Sequence, residues 1–296
     1  MNAARDTSGA DPAMRSDLTT KPRSIASVTV AYNAAHLLPR QLDALARQTH
    51  ALAEIIVVDN ASTDNTLELL AHDYPHVTVL RLEENTGAAG GCAAGWKYAV
   101  GRGHEWVWDF DNDSVPGDDA LASLLRGYEM AGDAERIGIV VPLPVDAASG
   151  MPYPPLRWQD GLVRPDAETL AQEIWFADVA VASGSLIRRS VIERIGLPRA
   201  DFFMDFFDFE YCLRARAAGF RLMVVRDCVF GHEIGATKTV RLMGRERTWS
   251  GHAPWREFYV GRNVTYAVFH LYPSGRAKVW LLRHLLQHGI AILLFG

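Results

Sequence analysis

The chain has 296 residues, 49% hydrophobic and 22% charged, with a formal net charge of −5. That length holds one large α/β domain or two small ones with an ample core, and the charge balance gives no global attraction to nucleic acid. Three scattered cysteines, Cys92, Cys212 and Cys228, form no CxxC pair; this argues against a disulfide frame or zinc knuckle and for reduced thiols in a cytosolic setting.

Residues 1–23 are polar and lack the apolar core of a signal peptide, so they read as a disordered leader. Regularity begins at Ser24. The β-branched run 25–31 predicts a buried parallel strand, and 37–48 a helix with Leu38, Leu42 and Leu45 on one face. A second strand is predicted at 54–59 (EIIVVD), then a helix over 63–74 opened by Ser62 or Thr63. A third strand (77–82), a third helix (91–100) and a fourth strand (105–110) follow. Strand and helix alternating at this spacing predict a doubly wound, mostly parallel α/β sheet, with ligands at the C-terminal strand edge.

Residues 142–166 carry six prolines and read as loop lying over a site. Beyond them, 178–183 and 186–188 read as extended, 190–195 as helix, 208–218 as a helix ended by Gly219, and 221–225 as strand. The last helix, 279–295, carries Arg283, His284, Gln287 and His288 on one face among leucines. It is too short in apolar run to span a bilayer; it either packs on the domain or rests on a membrane surface.

The first strand–helix turn, Ala31-Tyr32-Asn33-Ala34-Ala35, has none of the glycines that a dinucleotide fold places there, which removes a hydride-transfer reading. Gly87, Gly90, Gly91 and Gly95 instead open a later helix, where close packing would explain them equally well. Asp59 ends the second strand, where a carboxylate can accept from a base N–H or a ribose hydroxyl; turn chemistry is the plain alternative.

The strongest local signal is Trp108-Asp109-Phe110-Asp111-Asn112-Asp113, a buried strand running into three alternating carboxylates. Such charge is costly unless a cation neutralises it, and oxygen donors favour Mg²⁺ or Mn²⁺. An EF-hand fails here because Ser114 and Ala120 stand where glycine and glutamate are needed. A second acidic group, Asp205, Asp208 and Glu210, lies among five phenylalanines, a setting that raises a carboxyl's proton affinity toward a general base's range. His232 follows a later strand.

Together these segments resemble the inverting family-2 glycosyltransferases of the GT-A fold. The resemblance runs in order through VTVAYNAA (28–35), IIVVDNASTDNT (55–66), ENTGAAGG (84–91), WDFDNDSVP (108–116), SGSLI (183–187), DFFDFEYCLRARAAGF (205–220) and FGHEIG (230–235). DNDSVP and the 204–219 stretch resemble bacterial rhamnosyltransferases, whereas ENTGAAGGCAAG (84–95) and the tryptophans before the aspartates resemble galactofuranosyltransferases. The resemblance implies transfer of a sugar from dTDP-rhamnose or UDP-galactofuranose to a glycan or lipid-linked acceptor. It implies a catalytic region over 24–240, divided near 115 into nucleotide and acceptor halves, and a helical extension over 241–296. It places Ala31, Tyr32, Asn33, Asp59, Asn85, Gly87 and Asp111 at the nucleotide, and Asp111, Asp113 and His232 at the Mg²⁺ or Mn²⁺. Asp208 becomes the catalytic base, with Asp205 and Glu210 as acceptor-binding residues or rival bases because Phe207 stands where relatives usually carry an acid. The implied setting is the cytoplasm, with peripheral contact to the inner face of the cell membrane. A non-catalytic nucleotide- or glycan-binding relative and a sugar nucleotidyltransferase are the alternatives.

Overall fold

The computed structural model describes residues 24–146, 152–228, 230–232, 237–242, 245–250, 254–271 and 274–295. The leader expected over 1–23 lies outside the described residues.

The N-terminal half alternates as its hydrophobic runs require: β1 (Ile25–Ala31), α1 (Leu38–Ala46), β2 (Glu54–Asp59), α2 (Thr66–Asp73), β3 (Thr78–Arg81), α3 (Gly87–Gly101) and β4 (Trp106–Asp111). β5 (Val115–Pro116), α4 (Ala120–Met130), β6 (Ile137–Pro142) and β7 (Val145–Asp146) continue the chain. The proline-rich segment is mostly loop but holds a small hairpin, β8 (Arg157–Trp158) with β9 (Leu162–Val163). Then come α5 (Ala167–Ala171), β10 (Ile174–Ala177), β11 (Leu186–Arg188), α6 (Arg189–Ile195), α7 (Phe207–Ala217), β12 (Arg221–Val225) and β13 (Phe230–His232). A hairpin of β14 (Thr237–Leu242) and β15 (Arg245–Ser250) precedes α8 (Pro254–Tyr266) and α9 (Gly275–Phe295).

Eight strands make one sheet in the order β10-β12-β6-β11-β4-β1-β2-β3. β11 and β10 run against the other six, so the sheet is mostly parallel, as expected. β4 is central and its side chains alternate. Trp106, Trp108 and Phe110 pack in the core cluster with Leu38, Leu42 and Leu121, while Val107 joins the opposite cluster with Ala89, Cys92 and Trp96. Fully burying each such large side chain contributes about 1.5–3 kcal/mol, so this strand anchors both layers. Asp109 and Asp111 share the Val107 face by the same period of two.

Several boundaries differ from expectation for identifiable reasons. α2 starts at Thr66, not 63, because the Thr63 and Asp64 amides donate to the Asn33 side chain at 2.8 and 3.3 Å. α3 starts at Gly87, not 91. There Gly87 has φ +70, and an added Cβ would lie 2.1 Å from the Phe203 carbonyl oxygen. Gly91 and Gly95 permit close packing, with Val30 and Val28 at 2.4 and 2.3 Å from a built Cβ. The strand expected over 178–183 instead lies at Ile174–Ala177, paired with β12. Asp178 and Val179 turn aside to bond Leu156, and the Asp178 carboxylate takes the Trp158 amide at 2.8 Å. β6 was absent from the expectations, although Ile-Gly-Ile-Val-Val-Pro is buried throughout. α9 begins at Gly275, helped by the Ser274 hydroxyl accepting the Ala277 amide at 3.0 Å.

Candidate active site

Three strand ends meet where the sheet's C-terminal edge opens. β1 leaves Ala31 buried, Tyr32 46% exposed and Asn33 at φ +51. Asparagine tolerates this left-handed conformation, so the turn forms without a glycine. Its Oδ1 gathers the Thr63 and Asp64 amides, and its own amide donates to Ser62 Oγ at 3.0 Å. That lattice fixes the turn facing β2's end.

Asp59 is fully buried there. Its Oδ1 accepts the Ser62 amide at 3.4 Å, while Oδ2 is buried without a partner. An unsatisfied buried acceptor is costly, so this oxygen is an opening for a ligand N–H or O–H. Asn60 ties β2 to α3: it donates to Asn85 Oδ1 and Gly87 O at 3.1 and 3.0 Å and accepts the Thr86 amide at 2.9 Å. Asn85 accepts the Gly87 amide at 2.9 Å. Asn85 and Gly87 therefore border Asp59 through Asn60, at the start of α3.

The acids of β4 divide by depth. Asp109 is buried against α3, where Trp96 Nε1 donates at 2.6 Å and Cys92 Sγ lies at 3.5 Å. Burial pushes its carboxyl up to about 7, with Asp111 and Asp208 adding to the rise and the indole opposing it. Asp111 lies one pleat further out and is half-buried. Its amide donates to Ser183 Oγ at 3.0 Å, and Gln41 Nε2 bonds its carbonyl and that of Ser114 at 2.5 and 2.7 Å. Asp113 follows in the turn and accepts the Ser114 hydroxyl at 3.3 Å.

The second acidic group reaches the same place from the other half. Phe203, Asp205 and Phe206 all have left-handed φ, +64, +54 and +64, and α7 begins immediately after them. Asp208 sits in its first turn, half-buried, with its Oδ1 taking the Phe209 amide at 2.8 Å. Burial pushes Asp208 up to about 7, and the negative charges of Asp205 and Asp111 add to the rise. Asp208 also raises Asp109, Cys92 and Tyr153, which puts each of them within electrostatic reach of Asp208. A small recess with about 10 Å³ of free space lies next to Phe209, lined by Pro142, Tyr153, Pro155, Leu156 and Ser183 among others.

The rival acids are engaged elsewhere. Glu210 is fully buried and accepts Arg214 Nε at 2.6 Å, and that arginine holds the Ile195 and Leu197 carbonyls at the end of α6. Asp205 is gripped by Arg256 of α8 through contacts of 2.8, 2.8 and 3.1 Å. For His232 the backbone alone is described. β13 pairs with β5 directly after Asp113-Ser114, with Gly231 opposite Val115, and with β7, where His232 is opposite Asp146.

Among the described residues no group of three His, Cys, Asp or Glu forms a metal cluster. Asp111 and Asp113 still suit a hard cation, because Mg²⁺ is characteristically held by one or two carboxylates plus substrate phosphates. The mutual repulsion registered at Asp109 and Asp208 is what such a cation would relieve.

A family model described as glycosyl transferase family 2 matches residues 27–196, more than half of the chain. The chain belongs to glycosyl transferase family 2. The dTDP-rhamnosyl transferase RfbF of Shigella flexneri is 28% identical over 211 residues, covering 71% of this chain and 69% of that protein. The galactofuranosyltransferase GlfT1 of Mycobacterium tuberculosis (strain CDC 1551 / Oshkosh) is 29% identical over 254 residues, 83% of this chain and 82% of that one. A mannosyltransferase of Pyrobaculum calidifontis, solved with GDP-Man and Mn²⁺, superposes with a TM-score of 0.59 at 19% identity, covering 88% of this chain and 69% of that one. The fold is GT-A.

The family 2 match ends before α7, so Asp208 and everything α8 contributes lie beyond it. Sequence reasoning missed Gln41, Tyr153 and the α8 residues. Gln41 had a signal: a glutamine inside the apolar stripe of Leu38, Leu42 and Leu45 needs buried partners. Arg256 had none, since 51 residues separate it from Asp205.

Proposed function

We propose that this glycosyltransferase transfers a deoxyhexose or hexofuranose, rhamnose or galactofuranose, with inversion from a nucleoside diphosphate to a hydroxyl of a glycan or lipid-linked acceptor. One observation carries the reading: Asp208 from α7 and Asp111 from β4 lie within electrostatic reach at the sheet's C-terminal edge, although 97 residues apart by number (208 − 111). RfbF and GlfT1 support the two donors named. Asp59 Oδ2 accepts from the base or ribose, and Ala31, Tyr32, Asn33, Asn85 and Gly87 shape the nucleotide cleft.

Asp111 and Asp113, joined by His232, would hold Mg²⁺ or Mn²⁺, which when bound supplies charge neutralisation for a diphosphate leaving group. The chain's own chemistry is proton transfer. Asp208 takes the proton from the acceptor hydroxyl as that oxygen bonds the anomeric carbon and the bond to the diphosphate breaks. A carboxyl raised to about 7 suits this, because a base titrating near working pH combines availability with proton affinity. The acceptor would approach Asp208 from the side of Tyr153, which lies within electrostatic reach of that carboxyl.

No helix among the described residues is long and apolar enough to cross a membrane. α9 nonetheless has two apolar faces. Ala277 and Leu281 are buried, while Val279, Leu282 and Leu286 form an exposed stripe. Arg276 and Arg283 flank that stripe on one edge and Lys278 on the other, and the helix has no acidic residue. We read this as a peripheral contact with the anionic inner face of the cell membrane. Flotation with phosphatidylglycerol vesicles, lost in Leu282→Asp/Leu286→Asp, supports it; equal flotation of both proteins overturns it.

The function is tested by calorimetric titration of UDP and dTDP, each with Mn²⁺ and with EDTA, on wild type and Asp113→Ala. Metal-dependent binding of one nucleotide that weakens at least ~10-fold in the variant is expected, the range seen when metal-site partners are lost. No metal-dependent binding of either would sink the reading.

A further inference from the structure

We propose that Asn263 and Arg256 of α8 are positioning residues for the reaction, clasping the loop 202–206 so that Asp208 is presented to the acceptor. This rests on Asp208 being the catalytic base, as argued above.

The loop cannot hold its own shape. Left-handed backbone at three non-glycine residues is sterically costly and persists only where surrounding structure over-determines it. The side-chain restraint comes from α8. Asn263 is fully buried, and its Nδ2 lies 3.0, 2.8 and 2.8 Å from the carbonyl oxygens of Phe202, Met204 and Asp205. Its own Oδ1 accepts Arg262 Nε at 2.9 Å, and Arg262 reaches the Asp201 and Phe202 carbonyls at 2.6 and 2.9 Å. One helix turn earlier, Tyr259 stacks on Phe203 with ring centroids 4.9 Å apart. Arg256 then closes on the Asp205 carboxylate in the two-pronged geometry that fixes orientation as well as charge.

The far side of the same loop is pinned to the nucleotide half, where the Ala89 amide donates to the Phe203 carbonyl at 3.0 Å. The loop is thus held between α8 and the start of α3, and Phe206 hands the chain directly into the first turn of α7. Every carbonyl that Asn263 binds lies within six residues of Asp208. A buried amide that spends its donors on one short irregular segment, next to a reacting carboxylate, is placed to orient that carboxylate. A purely cohesive role would be served by apolar packing.

Two measurements on the full chain test this. In wild type, amide hydrogen exchange across 202–210 should be protected. In Asn263→Ala it should quicken there while β1–β4 stay protected. In transfer assays Asn263→Ala should lower kcat by about 10²-fold, the order expected when a reacting group shifts by about 1 Å, with donor KM and nucleotide affinity within about twofold. Arg256→Ala, at a partly exposed position that a folded chain tolerates, should behave likewise but less severely, and Arg256→Lys should recover part of the loss. Unchanged exchange over 202–210 in both variants overturns the clasp. So does a fall in nucleotide affinity that matches the fall in kcat, or a full loss in Arg256→Lys. A wild type that binds no nucleotide refutes the glycosyltransferase reading instead, and the exchange result then decides the clasp by itself.

Discussion

Asp109 and Asp208 have their carboxyls raised to the same value, about 7, and burial is the main cause for both. Their surroundings separate them. Asp109 lies in mid-strand with the Trp96 indole and the Cys92 thiol on its oxygens, closed off from solvent. Asp208 lies at a helix start, half-buried, with hydrogen bonds from the backbone at Phe209 and Ala182 opposing the rise. A raised proton affinity therefore marks a carboxyl removed from water. Both carboxyls have hydrogen-bond partners, so what separates them is access: Asp109 is closed off, whereas Asp208 is partly open to an arriving hydroxyl.

The comparison breaks most readily at Asp208. Asp208→Asn should lower the transfer rate by about 10³-fold, within the range for loss of a general base, while nucleotide affinity measured by calorimetry stays within about twofold. The residual pH profile should lose its rise through about 7, because the group whose deprotonation produced it is gone. If Asp109→Asn gives that result instead, the two roles are exchanged.

The next effect is on stability. Asp109's folded value of about 7 lies above its ordinary 3.8, so the folded chain keeps a proton that the unfolded chain releases. Stability from this group is therefore full below about 4 and falls as pH rises through about 7. Asn keeps the acceptor for Trp96 without the charge. Asp109→Asn should gain on wild type in urea unfolding at about pH 8, by up to about 4 kcal/mol for a shift of about three pK units, and the gain should vanish near pH 4. An equal gain at both ends would show that charge is not the issue.

The smallest effect expected is at Trp96→Phe, which leaves the Asp109 oxygen without its indole donor. A loss of about 1–3 kcal/mol in urea unfolding is expected, with transfer per folded molecule little changed. Transfer falling in step with Asp208→Asn would instead mean that the indole reports on the reacting site.

How far the sequence could be read follows the same division. β1, β2 and β12 fall on their expected residues because buried, β-branched runs have one stable solution in this layer order. The acids of β4 were visible because a period-two strand puts Asp109 and Asp111 on one face whatever surrounds them. The acids around α7 were visible as a group, but not their duties. Glu210 goes to Arg214, a local i,i+4 neighbour on α7 that the sequence could have shown, whereas Asp205 goes to Arg256 of α8, which no local pattern brings near. The misplaced strand at 178–183 failed for a like reason. Asp178 and Val179 find partners in Leu156, which belongs to a proline-rich segment with no periodicity to read.

The contact between Gly87 and Phe203 bears on how such enzymes could be recombined. Gly87, at the start of α3, is left bare so that the Phe203 carbonyl can lie against it, 2.1 Å from where a Cβ would stand. A chimera cut after β4, joining one relative's N-terminal part to another's C-terminal part, would pair a glycine with a loop it was not shaped for. Exchanges of donor preference should carry residues 85–91 together with 200–207, as one cassette drawn from two distant stretches of the gene.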